Sequence, residues 1–480
     1  MRGELELLSS FASEVRSAGF NRVVLLGMGG SCLGPEVLRR TCGNASGYPE
    51  LSVLDSTLPA WIEAVDEVID PAKTLFLVSS KSGSTIESNT LYSYFWERVS
   101  KVVGEEAAGG NFVAITDTGT GLESLAGNKG FRRAFLNSPE VGGRYSVLSY
   151  FGMVPAALIG LDLSVLLGRA EAMQNACTVV NAAENAGARL GAVMATMALE
   201  GRDKLTLITS PALAGFGLWV EQMLAESLGK SGKGIIPVAG EPALSREHYS
   251  EDRLIVYLRL NDDDNARTDA LVAELAFDHP TVQLELTDRF DLCAEFYRWE
   301  FATAVAGHIL GVHPFDQPNV QGAKDKTDLV LGQFEATGAL PQVGAADSAG
   351  QLVSLVTPGD YIAILAYLPN TPEVTLALES FRKKLTEKCG VPTTAGFGPR
   401  YLHSTGQLHK GGPGSGVYLQ LTGDHPADLA IPGRSYTFGT LADAQSTGDL
   451  QALQALGRRT ARVHLGDQPA SGIQRLESLL

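Results

Sequence analysis

The sequence predicts an α/β protein built from parallel β-sheets, and three observations support this fold class. Short apolar runs rich in β-branched residues alternate with helical stretches through the first two-thirds of the chain. Runs that are apolar on both faces and separated by helices are typical of parallel strands in βαβ units. The composition is globular, with 44% apolar and 19% charged residues. At 480 residues, two or three domains are expected rather than one core.

The predicted strands of the first two-thirds fall into two groups along the chain. The first group is Val23–Leu26, Leu51–Leu54, Thr74–Val78 and Phe112–Ile115. After a long helical stretch, the second group is Leu205–Ile208, Ile235–Val238, Leu254–Leu258 and Val282–Leu286. This spacing predicts one domain over residues 1–165 and a second over residues 166–330.

The last third of the chain is predicted to be a separate α/β domain. A Gly-, Ala- and Pro-rich break at Gln333–Gly350 indicates a linker, which we place at residues 331–350. Beyond it, Tyr361–Leu368 and Gly416–Leu421 are predicted strands, and Pro372–Cys389 is a predicted amphipathic helix. Residues 351–480 are therefore expected to form a C-terminal domain, whose topology and role the sequence leaves open.

Charge and cysteine content narrow the classes of partner. The chain has 38 Lys and Arg against 54 Asp and Glu, a formal net charge of −16. Binding to nucleic acid or to anionic lipid usually depends on an excess of basic residues, so neither partner is expected. The five cysteines are an odd number without CxxC or metal-ligand spacing, and the N-terminus lacks a signal-peptide pattern. We therefore expect a reduced, cytoplasmic protein.

Two predicted strands run into turns that could hold an anion. Residues 27–35, GMGGSCLGP, form a Gly-rich turn before a helix, where backbone N–H groups can face a phosphate. Read as a dinucleotide fingerprint this turn would need Gly at position 32, which is Cys32, although Asp55 stands where a ribose-binding acid would be expected. Dinucleotide binding is therefore kept as an alternative.

The second turn, SSKSGSTIE at residues 79–87, has hydroxyl side chains around one lysine. Hydroxyls and backbone amides can donate to a phosphate monoester while Lys81 supplies a positive charge. The same residue types also favour ordinary helix N-caps, so a polar capping cluster is the alternative interpretation. Both turns are predicted at the carboxyl ends of parallel strands, where α/β sheets usually bind ligands.

Three further side chains are candidates for chemistry. Arg144 follows paired glycines and could stabilise negative charge on an oxygen, or merely pair with a surface carboxylate. Glu226 lies on a mostly apolar helix, four residues after Gln222, where burial would raise its pKa toward that of a general base; alternatively it faces solvent. Lys324, seven residues after Gln317, is a candidate proton donor or a surface lysine.

Taken together, these segments resemble the phosphoglucose isomerase family, whose members contain two sugar-isomerase (SIS) domains. The matching segments, in family order, are GMGGSCLGP at 27–35, SSKSGSTIE at 79–87, GGRYSVLSYFG at 142–152, MLAESLGK at 223–230 and FDQPNVQGAK at 315–324. The resemblance covers roughly residues 20–330. It implies two SIS-type, doubly wound parallel-sheet (αβα) domains and an aldose–ketose isomerase of glycolysis and gluconeogenesis that uses neither metal nor cofactor.

The resemblance also implies roles for individual residues. Glu226 would shuttle a proton between C2 and C1 through a cis-enediol, Arg144 would stabilise the enediolate, and Lys324 would assist ring opening and closing. The implied phosphate ligands are Ser80, Lys81, Ser82 and Thr85. The implied contacts to the sugar or its phosphate are Gly30, Ser31, Gln222 and Gln317.

The ring-opening histidine of the family, often contributed by a second subunit, has no unmistakable motif here. His248 follows Gly240-Glu241-Pro242 at a suitable interval and is our candidate, with His308 and His313 as alternatives. The chain also departs from the family's second signature, since Asn319 and Gln321 stand where glycine and glutamate are usual.

The C-terminal segment GFGPRYLHSTGQLHKGGP at 396–413 looks most like the isomerase portion of bacterial transaldolase–phosphoglucose isomerase fusions. We expect either a stand-alone relative or the second half of such a fusion, with transaldolase as an implied partner. Within this segment, His403, His409 and Lys410 could form a small polar site. The alternative is a loop that packs the C-terminal domain against the SIS pair.

The function that the resemblance implies is the interconversion of glucose 6-phosphate and fructose 6-phosphate by a homodimer. Two alternatives remain. One is an isomerase that also accepts mannose 6-phosphate, and the other is a non-catalytic SIS regulator that only binds a sugar phosphate. The combination of Glu226, Arg144 and Lys324 argues against the regulator, because a sensor needs only the phosphate turn.

Overall fold

Parallel strands in three separate sheets organise the chain over residues 1–341 and 349–480, which a computed structural model describes. This arrangement confirms the predicted α/β class. Every strand pair in the three sheets is parallel, as expected where helices connect consecutive strands. We call the three parts that carry these sheets the first, second and third units.

The first unit has five strands in the order β2-β1-β3-β4-β5. Its strands are β1 (Arg22–Gly27), β2 (Glu50–Leu54), β3 (Thr74–Ser79), β4 (Phe112–Asp117) and β5 (Arg133–Asn137). Its helices are α1 (Leu5–Ser17), α2 (Leu33–Cys42), α3 (Pro59–Asp66), α4 (Ile86–Val103), α5 (Glu105–Ala108), α6 (Gly121–Asn128) and α7 (Tyr150–Leu158). Strands β1 and β3 pair in register from Arg22↔Thr74 to Gly27↔Ser79, so the two polar turns that follow them leave the same edge of the sheet.

The second unit has four strands in the order β7-β6-β8-β9. Its strands are β6 (Lys204–Thr209), β7 (Ile236–Ala239), β8 (Arg253–Leu260) and β9 (Thr281–Leu286). Its helices are α8 (Leu163–Cys177), α9 (Ala186–Leu199), α10 (Phe216–Leu228), α11 (Ala266–Leu275), α12 (Leu292–Leu310) and α13 (Gln321–Thr337). Helix α10 is buried along most of its length, and the candidate residues Gln222 and Glu226 lie on it.

The third unit has four strands in the order β11-β10-β12-β13. Its strands are β10 (Tyr361–Tyr367), β11 (Thr393–Phe397), β12 (Gly416–Thr422) and β13 (Arg459–His464). Its helices are α14 (Ala349–Ser354), α15 (Pro372–Cys389), α16 (Gly406–Gly411), α17 (Phe438–Ala455) and α18 (Pro469–Ser478). The sequence did not predict the topology of this unit. Its sheet is parallel, like those of the other two units.

Helix α13 extends into the segment predicted as a linker. It continues to Thr337 because one of its faces is apolar: Val330 and Leu331 are buried against Phe438 and Leu441 of α17. Residues 342–348, in the rest of the predicted linker, lie outside the described residues. Within the described ranges, no helix combines the length and apolar character needed to cross a membrane.

The third unit packs on both other units through shared apolar clusters. In one cluster, Phe438 and Leu441 pack with Leu91 and Phe95 of α4 in the first unit. In another, Tyr361, Tyr401 and Tyr418 pack with Ala225, Ile236 and Val238 of the second unit. The segment between β11 and β12 is thereby held against the carboxyl edge of the first sheet.

Candidate active site

An open cavity of about 470 Å³ lies where the three units meet. Both polar turns of the first unit reach it, together with the paired-glycine turn, helix α10, the start of α13 and one segment of the third unit. The candidate residues that line it are Gly30, Ser31, Lys81, Ser82, Thr85, Arg144, Gln222, Glu226, Gln317 and Lys324. Side chains that are separated by almost 300 residues in the sequence therefore face one space.

The hydroxyl-rich turn lies at the N-terminus of α4, with its side chains already paired among themselves. Ser80 Oγ lies 3.0 Å from Thr85 Oγ1, and Ser82 Oγ lies 3.0 Å from Ser84 Oγ. Ser80 is buried behind the cavity wall, in contact with Thr85, rather than lining the wall itself. Hydroxyls and backbone amides at a helix N-terminus form a suitable anion site.

Lys81 in the same turn is not a free cation. Its ammonium forms an ion pair with Asp117 at the end of β4 and donates to the carbonyl oxygen of Pro139 at 3.1 Å. These contacts fix the lysine at the cavity wall. An anion bound there would compete with Asp117 for the ammonium, so the positive charge available to a ligand is reduced.

The backbone of the Gly-rich turn lies against the backbone of the paired-glycine turn, and this contact places Arg144 at the cavity. A Cβ atom on Gly30 would overlap the carbonyl oxygen of Gly143, so only glycine permits this contact. The acidic residue that dinucleotide binding would require, Asp55, is not available to a ligand. Asp55 is fully buried and accepts from Arg400 Nε at 2.6 Å and Nη2 at 2.8 Å, which leaves it committed to an ion pair.

Arg144 is buried and makes hydrogen bonds through all its nitrogens. Nε donates to Ser227 Oγ at 2.7 Å, and Nη1 donates to Gln317 Oε1 at 3.0 Å. Nη2 donates to the carbonyl oxygens of Pro314 and Asp316 at 2.7 and 2.9 Å. The carboxylate beside it is that of Glu226, with Nη1 and Oε1 3.4 Å apart, so the surface ion pair considered from the sequence is not what forms.

Glu226 has the environment that a general base requires. Burial raises the pKa of its carboxyl group, while the charge of Arg144 and a hydrogen bond from Gln222 Nε2 to Oε2 (3.0 Å) oppose that rise. Its side chain is still 13% exposed, toward the cavity. A carboxylate whose pKa lies above the usual value can exchange protons with carbon acids near neutral pH.

Neither His248 nor its alternatives line the cavity within this chain. His248 lies in the short turn Arg246–His248 after β7, with Nδ1 2.9 Å from Ser245 Oγ. His308 is on the exposed side of α12, and His313 is 66% exposed beside Asp316. The histidine that does line the cavity is His403 of the third unit.

Sequence reasoning missed the partners of His403. Its Nε2 lies 2.9 Å from Glu87 Oε1, and Gln445 Nε2 donates to the same oxygen at 2.7 Å. Glu87 closes the hydroxyl-rich turn, so its place in that motif was a usable signal. Gln445 lies within α17 and has no local signature.

The other two candidates of segment 396–413 lie apart from this cavity. Lys410 pairs with buried Asp449 at 2.5 Å, and His409 is buried between Tyr401 and Tyr418. Burial, followed by the charges of Lys410 and Arg458, lowers the pKa of His409 well below its usual value. His403 and Lys410 both line a smaller neighbouring cavity, but His409 does not, so the three residues do not form one polar site.

Asn319 and Gln321, the two residues that depart from the family signature, both form hydrogen bonds. The backbone N–H of Asn319 donates to Gln407 Oε1 at 2.8 Å, and Gln407 Nε2 donates to Asn319 Oδ1 at 2.8 Å. Gln321 instead bonds Asp325 within α13 at 2.7 Å and lines a smaller neighbouring cavity.

Comparison with known proteins gives consistent matches. The family model described as phosphoglucose isomerase matches residues 9–235. A glucose-6-phosphate isomerase from Rubrobacter xylanophilus is 30% identical over 384 residues, which cover 69% of this chain and 87% of that protein. A glucose-6-phosphate isomerase from Symbiobacterium thermophilum is 28% identical over 388 residues, covering 70% of this chain and 86% of the relative.

Solved structures agree in fold. A hypothetical protein, TT0462 from Thermus thermophilus, aligns at TM-score 0.59 with 25% identity, over 68% of this chain and 89% of that one. A glucose-6-phosphate isomerase from Chlamydia trachomatis aligns at TM-score 0.61 with 20% identity, over 70% and 74% of the two chains. At that identity, the second match supports the fold alone.

Proposed function

The chain belongs to the phosphoglucose isomerase family, and from this membership and the cavity we propose that it interconverts glucose 6-phosphate and fructose 6-phosphate. The observation that carries the proposal is the pair formed by Glu226 and Arg144, 3.4 Å apart at the wall of a cavity that also contains a hydroxyl-rich helix N-terminus. Such a site offers a base, a cationic oxygen partner and an anchor for a distant phosphate.

In the proposed mechanism, Glu226 moves one proton between adjacent carbons. Its carboxylate removes the proton from C2 of the open-chain aldose, and the electrons of the broken C–H bond form the C1–C2 double bond of an enediolate. The C1 carbonyl oxygen takes the displaced electron pair and gains a proton, and the hydroxyl on C2 loses one. The same carboxyl group then returns a proton to C1 as the electron pair on the C2 oxygen forms the C=O bond of the ketose. The burial that raises the pKa of Glu226 suits both directions of this transfer.

Arg144 is proposed to hold the enediolate oxygen. Its guanidinium is fixed by four hydrogen bonds before any ligand arrives, so it needs no reorganisation when negative charge develops. Gln222 and Gln317 each bond one of the two charged side chains and also face the cavity. We propose that these amides contact the sugar hydroxyls, with Gly30 and Ser31 forming the wall beside them.

The phosphate is proposed to bind the turn at the start of α4. Lys81, Ser82 and Thr85 face the cavity, and Ser80 supports Thr85 from behind. Binding energy gained at this phosphate would orient the reacting carbons against Glu226. Lys324 lines the same cavity and is proposed to exchange protons with the sugar oxygens.

A coupled assay on both sugar phosphates tests the proposal, with Glu226→Gln as the decisive variant. We expect it to lose about 10²–10⁴-fold in kcat, the usual contribution of a general base. The matched control is Glu221→Gln, because Glu221 lies on the same helix and burial raises its pKa to about 8, yet it lines a different cavity. This control should keep wild-type activity.

Three outcomes would separate the alternatives. Binding of the sugar phosphate by an inactive wild-type protein would indicate a regulator. Turnover of mannose 6-phosphate as well would indicate the wider isomerase. Near-full activity of Glu226→Gln would show that the base is assigned to the wrong residue. A homodimer, a cytoplasmic location and an association with transaldolase stay predictions, and the first is measurable by sedimentation.

A further inference from the structure

We propose that this chain has a second ligand site, in the cavity that Glu221 lines, and that this site binds a small hydroxylated carboxylate through Arg40. We call it the third-sheet cavity, because it lies beside the third sheet and helices α2 and α10. The proposal goes beyond the proposed function and does not depend on it, since no step of isomerisation is involved. It also gives the third unit a binding role, for which the sequence offered no motif.

The third-sheet cavity has a volume of about 170 Å³ and lies at the carboxyl ends of two parallel strands. Leu365 of β10 and residues 394–397, the last four of β11, contribute to its lining. Leu218 and Glu221 of α10 line it from the second unit, and Arg40 of α2 lines it from the first. Open α/β sheets usually bind ligands outside the carboxyl ends of their strands, so the third sheet offers a cavity at the usual place.

The third-sheet cavity is separate from the candidate active site, although the same two elements border both. On α10, Glu221 lines the third-sheet cavity, whereas Gln222 and Glu226 line the active site. Between β11 and β12, His409 lines the third-sheet cavity, whereas His403 lines the active site. In the described part of the chain, no residue lines both cavities, so a ligand in one is distinguishable from a ligand in the other.

Arg40 supplies the third-sheet cavity with a guanidinium that is held in place but can still bind a ligand. Its Nε donates to Glu36 Oε1 at 2.5 Å, and its Cδ lies only 3.1 Å from where a Cβ atom on Gly215 would be. Over residues 1–341 and 349–480, its two terminal nitrogens make no hydrogen bond. Two adjacent guanidinium N–H groups match the two oxygens of a carboxylate.

The wall around Arg40 carries a net positive charge. Arg39 also binds Glu36, from Nε to Oε2 and from Nη2 to Oε1, both at 2.9 Å, so two guanidinium groups share one carboxylate. Arg400, which also lines the cavity, is balanced by its ion pair with Asp55. This wall therefore attracts an anion and repels a cation. A single uncompensated charge suits a carboxylate better than a phosphate dianion.

Three other polar side chains of the third-sheet cavity are available to the hydroxyl groups of a ligand. Over the same described ranges, the carboxyl group of Glu221, the imidazole of His409 and the hydroxyl of Thr394 make no hydrogen bond. His409 is only 2% exposed and Thr394 only 9%. Buried polar groups usually have hydrogen-bond partners, and hydroxyl groups can both donate to these side chains and accept from them.

Glu221 is compatible with an anion when its carboxyl group is protonated. Burial raises the pKa of this group to about 8, while the positive charges of Arg382 on α15 and of Arg400 oppose that rise. Burial also lowers the pKa of His409 well below its usual value, so its imidazole is neutral. The charged or titratable groups that line the cavity with Glu221 are Arg40, Arg400, Tyr401 and His409. Near neutral pH, Glu221 therefore donates a hydrogen bond instead of repelling a carboxylate.

Three six-carbon compounds of similar shape and different charge test the ligand class: D-gluconate, D-glucitol and D-glucamine. Titration calorimetry of the whole 480-residue chain near neutral pH should show gluconate binding at least about 10-fold more tightly than glucitol, because its carboxylate gains charge-assisted hydrogen bonds. Glucamine should bind more weakly than glucitol. Stronger competition against gluconate by inorganic phosphate than by acetate would overturn the carboxylate class.

Arg40→Gln locates the site, with Arg39→Gln as its matched control. Both variants remove one positive charge beside Glu36, but of the two arginines only Arg40 lines the third-sheet cavity. We expect Arg40→Gln to lose the preference for gluconate over glucitol, and Arg39→Gln to keep it. Thr394→Val, which removes one hydroxyl with little change of shape, should weaken the binding of both compounds by about 2–10-fold.

Glu221→Gln tests the protonated carboxyl group. The affinity of the wild type for gluconate should fall as the pH rises through about 8, because an ionised Glu221 repels the carboxylate. Glu221→Gln has no charge to gain and should keep its affinity over the same range. The coupled assay contains no gluconate, so Glu221→Gln remains a valid control for the proposed base.

Four results would overturn the inference. They are a wild type that binds none of the three compounds, equal affinities for gluconate and glucitol, equal losses in Arg40→Gln and Arg39→Gln, and an affinity of the wild type for gluconate that does not change with pH. A crystal soaked with gluconate gives an independent check, since the carboxylate should lie within hydrogen-bond distance of a terminal nitrogen of Arg40. Gluconate in the candidate active site alone would contradict the inference and leave the proposed function untouched.

Discussion

At the scale of single residues, Arg144 modifies the acidity of Glu226. Arg144 is buried and close to the carboxylate, so it holds the pKa of Glu226 below the value that burial alone would impose. The arginine is thereby expected to act twice: once on the free enzyme, by opposing the rise in the pKa of the base, and once on the enediolate, by stabilising its negative charge.

Replacing Arg144 by glutamine should separate these two effects. Without the guanidinium, the pKa of Glu226 rises further, so the acidic limb of the profile of kcat/KM against pH should move to higher pH. The maximal kcat/KM should also fall by about 10²–10³-fold, because the variant lacks the cation that stabilises the enediolate oxygen. The pH profile of the purified variant measures both.

Arg39→Gln provides the control for Arg144→Gln. Arg39 also pairs with a buried carboxylate, that of Glu36 at 2.9 Å, but lies outside the cavity, so its variant should keep the wild-type profile. An acidic limb that stays in place in Arg144→Gln would mean that the two side chains are not coupled as their geometry indicates.

At the scale of elements, two short turns depend on glycine for their mutual contact. The turn Gly29–Ser31 and the turn Gly143–Tyr145 touch backbone to backbone, and the second carries Arg144 into the cavity. The pairing of β1 with β3 aligns the first of these turns with the hydroxyl-rich turn. Local backbone geometry thus places three parts of the site at once.

Gly30→Ala should therefore damage both stability and activity. The added methyl group overlaps the carbonyl oxygen of Gly143, and relieving that overlap should cost about 1–3 kcal/mol in the free energy of unfolding. The displaced turn moves Arg144, so kcat should fall as well. Thermal unfolding and the coupled assay measure the two effects.

Gly127→Ala is the matched control for Gly30→Ala. Gly127 lies in α6 with no atom within 4 Å of an added Cβ, so alanine should be neutral or slightly stabilising there. A Gly30→Ala protein with unchanged stability and activity would contradict the tight contact.

The elements also show what the sequence could predict. Strands β1 and β3 are almost wholly buried, and a continuous apolar run in the sequence predicts such a strand. Strands β5, β11 and β13 lie at sheet edges and were not predicted, because the runs RAFLN, TTAGF and RTARVH mix polar, small and basic residues. Edge position alone does not hide a strand, since the edge strands β2, β7 and β9 were predicted; the three missed strands lack a recognisable apolar pattern.

For the candidate site, sequence reasoning singled out residues that stand in short local motifs. Lys81, Arg144 and Glu226 each stand in a short recognisable segment, and all three line the cavity. His403 could not be placed in this way, since it meets Glu87 across 316 positions of sequence. The tertiary fold brings His403 and Glu87 together, and neither hydrophobic periodicity nor residue spacing within one segment could predict that contact.

At the scale of the whole molecule, the third unit has an apolar core of its own and also contributes side chains to two clusters that it shares with the other units. Phe438 is fully buried in the cluster that also contains side chains of α4 and α13, and Tyr401 and Tyr418 belong to a cluster with α10 and β7. Because unfolding of the third unit would expose apolar side chains of the other two units, the free energies of unfolding of the three units are coupled. We therefore expect scanning calorimetry to show one unfolding transition rather than separate melting of the third unit.

Phe438→Ala tests this coupling. Removing a large buried ring should cost about 3–5 kcal/mol, and the coupled assay should lose activity because α17 also carries Gln445, a partner of Glu87. Phe277→Ala is the control, since Phe277 is 80% exposed and its loss should be nearly neutral. Early, independent melting of the third unit in the wild type would contradict the coupling through these shared clusters.

The mutual amide pair between Asn319 and Gln407 has an evolutionary consequence. The first of these residues stands where the family usually has glycine, and its partner belongs to the third unit. The backbone N–H at this position can donate to the glutamine whatever the residue, but the side-chain oxygen of an asparagine gains its hydrogen bond only when a third unit offers that glutamine. Among homologous sequences the two positions should therefore change together, and their covariation would trace the point at which the additional unit joined the isomerase pair.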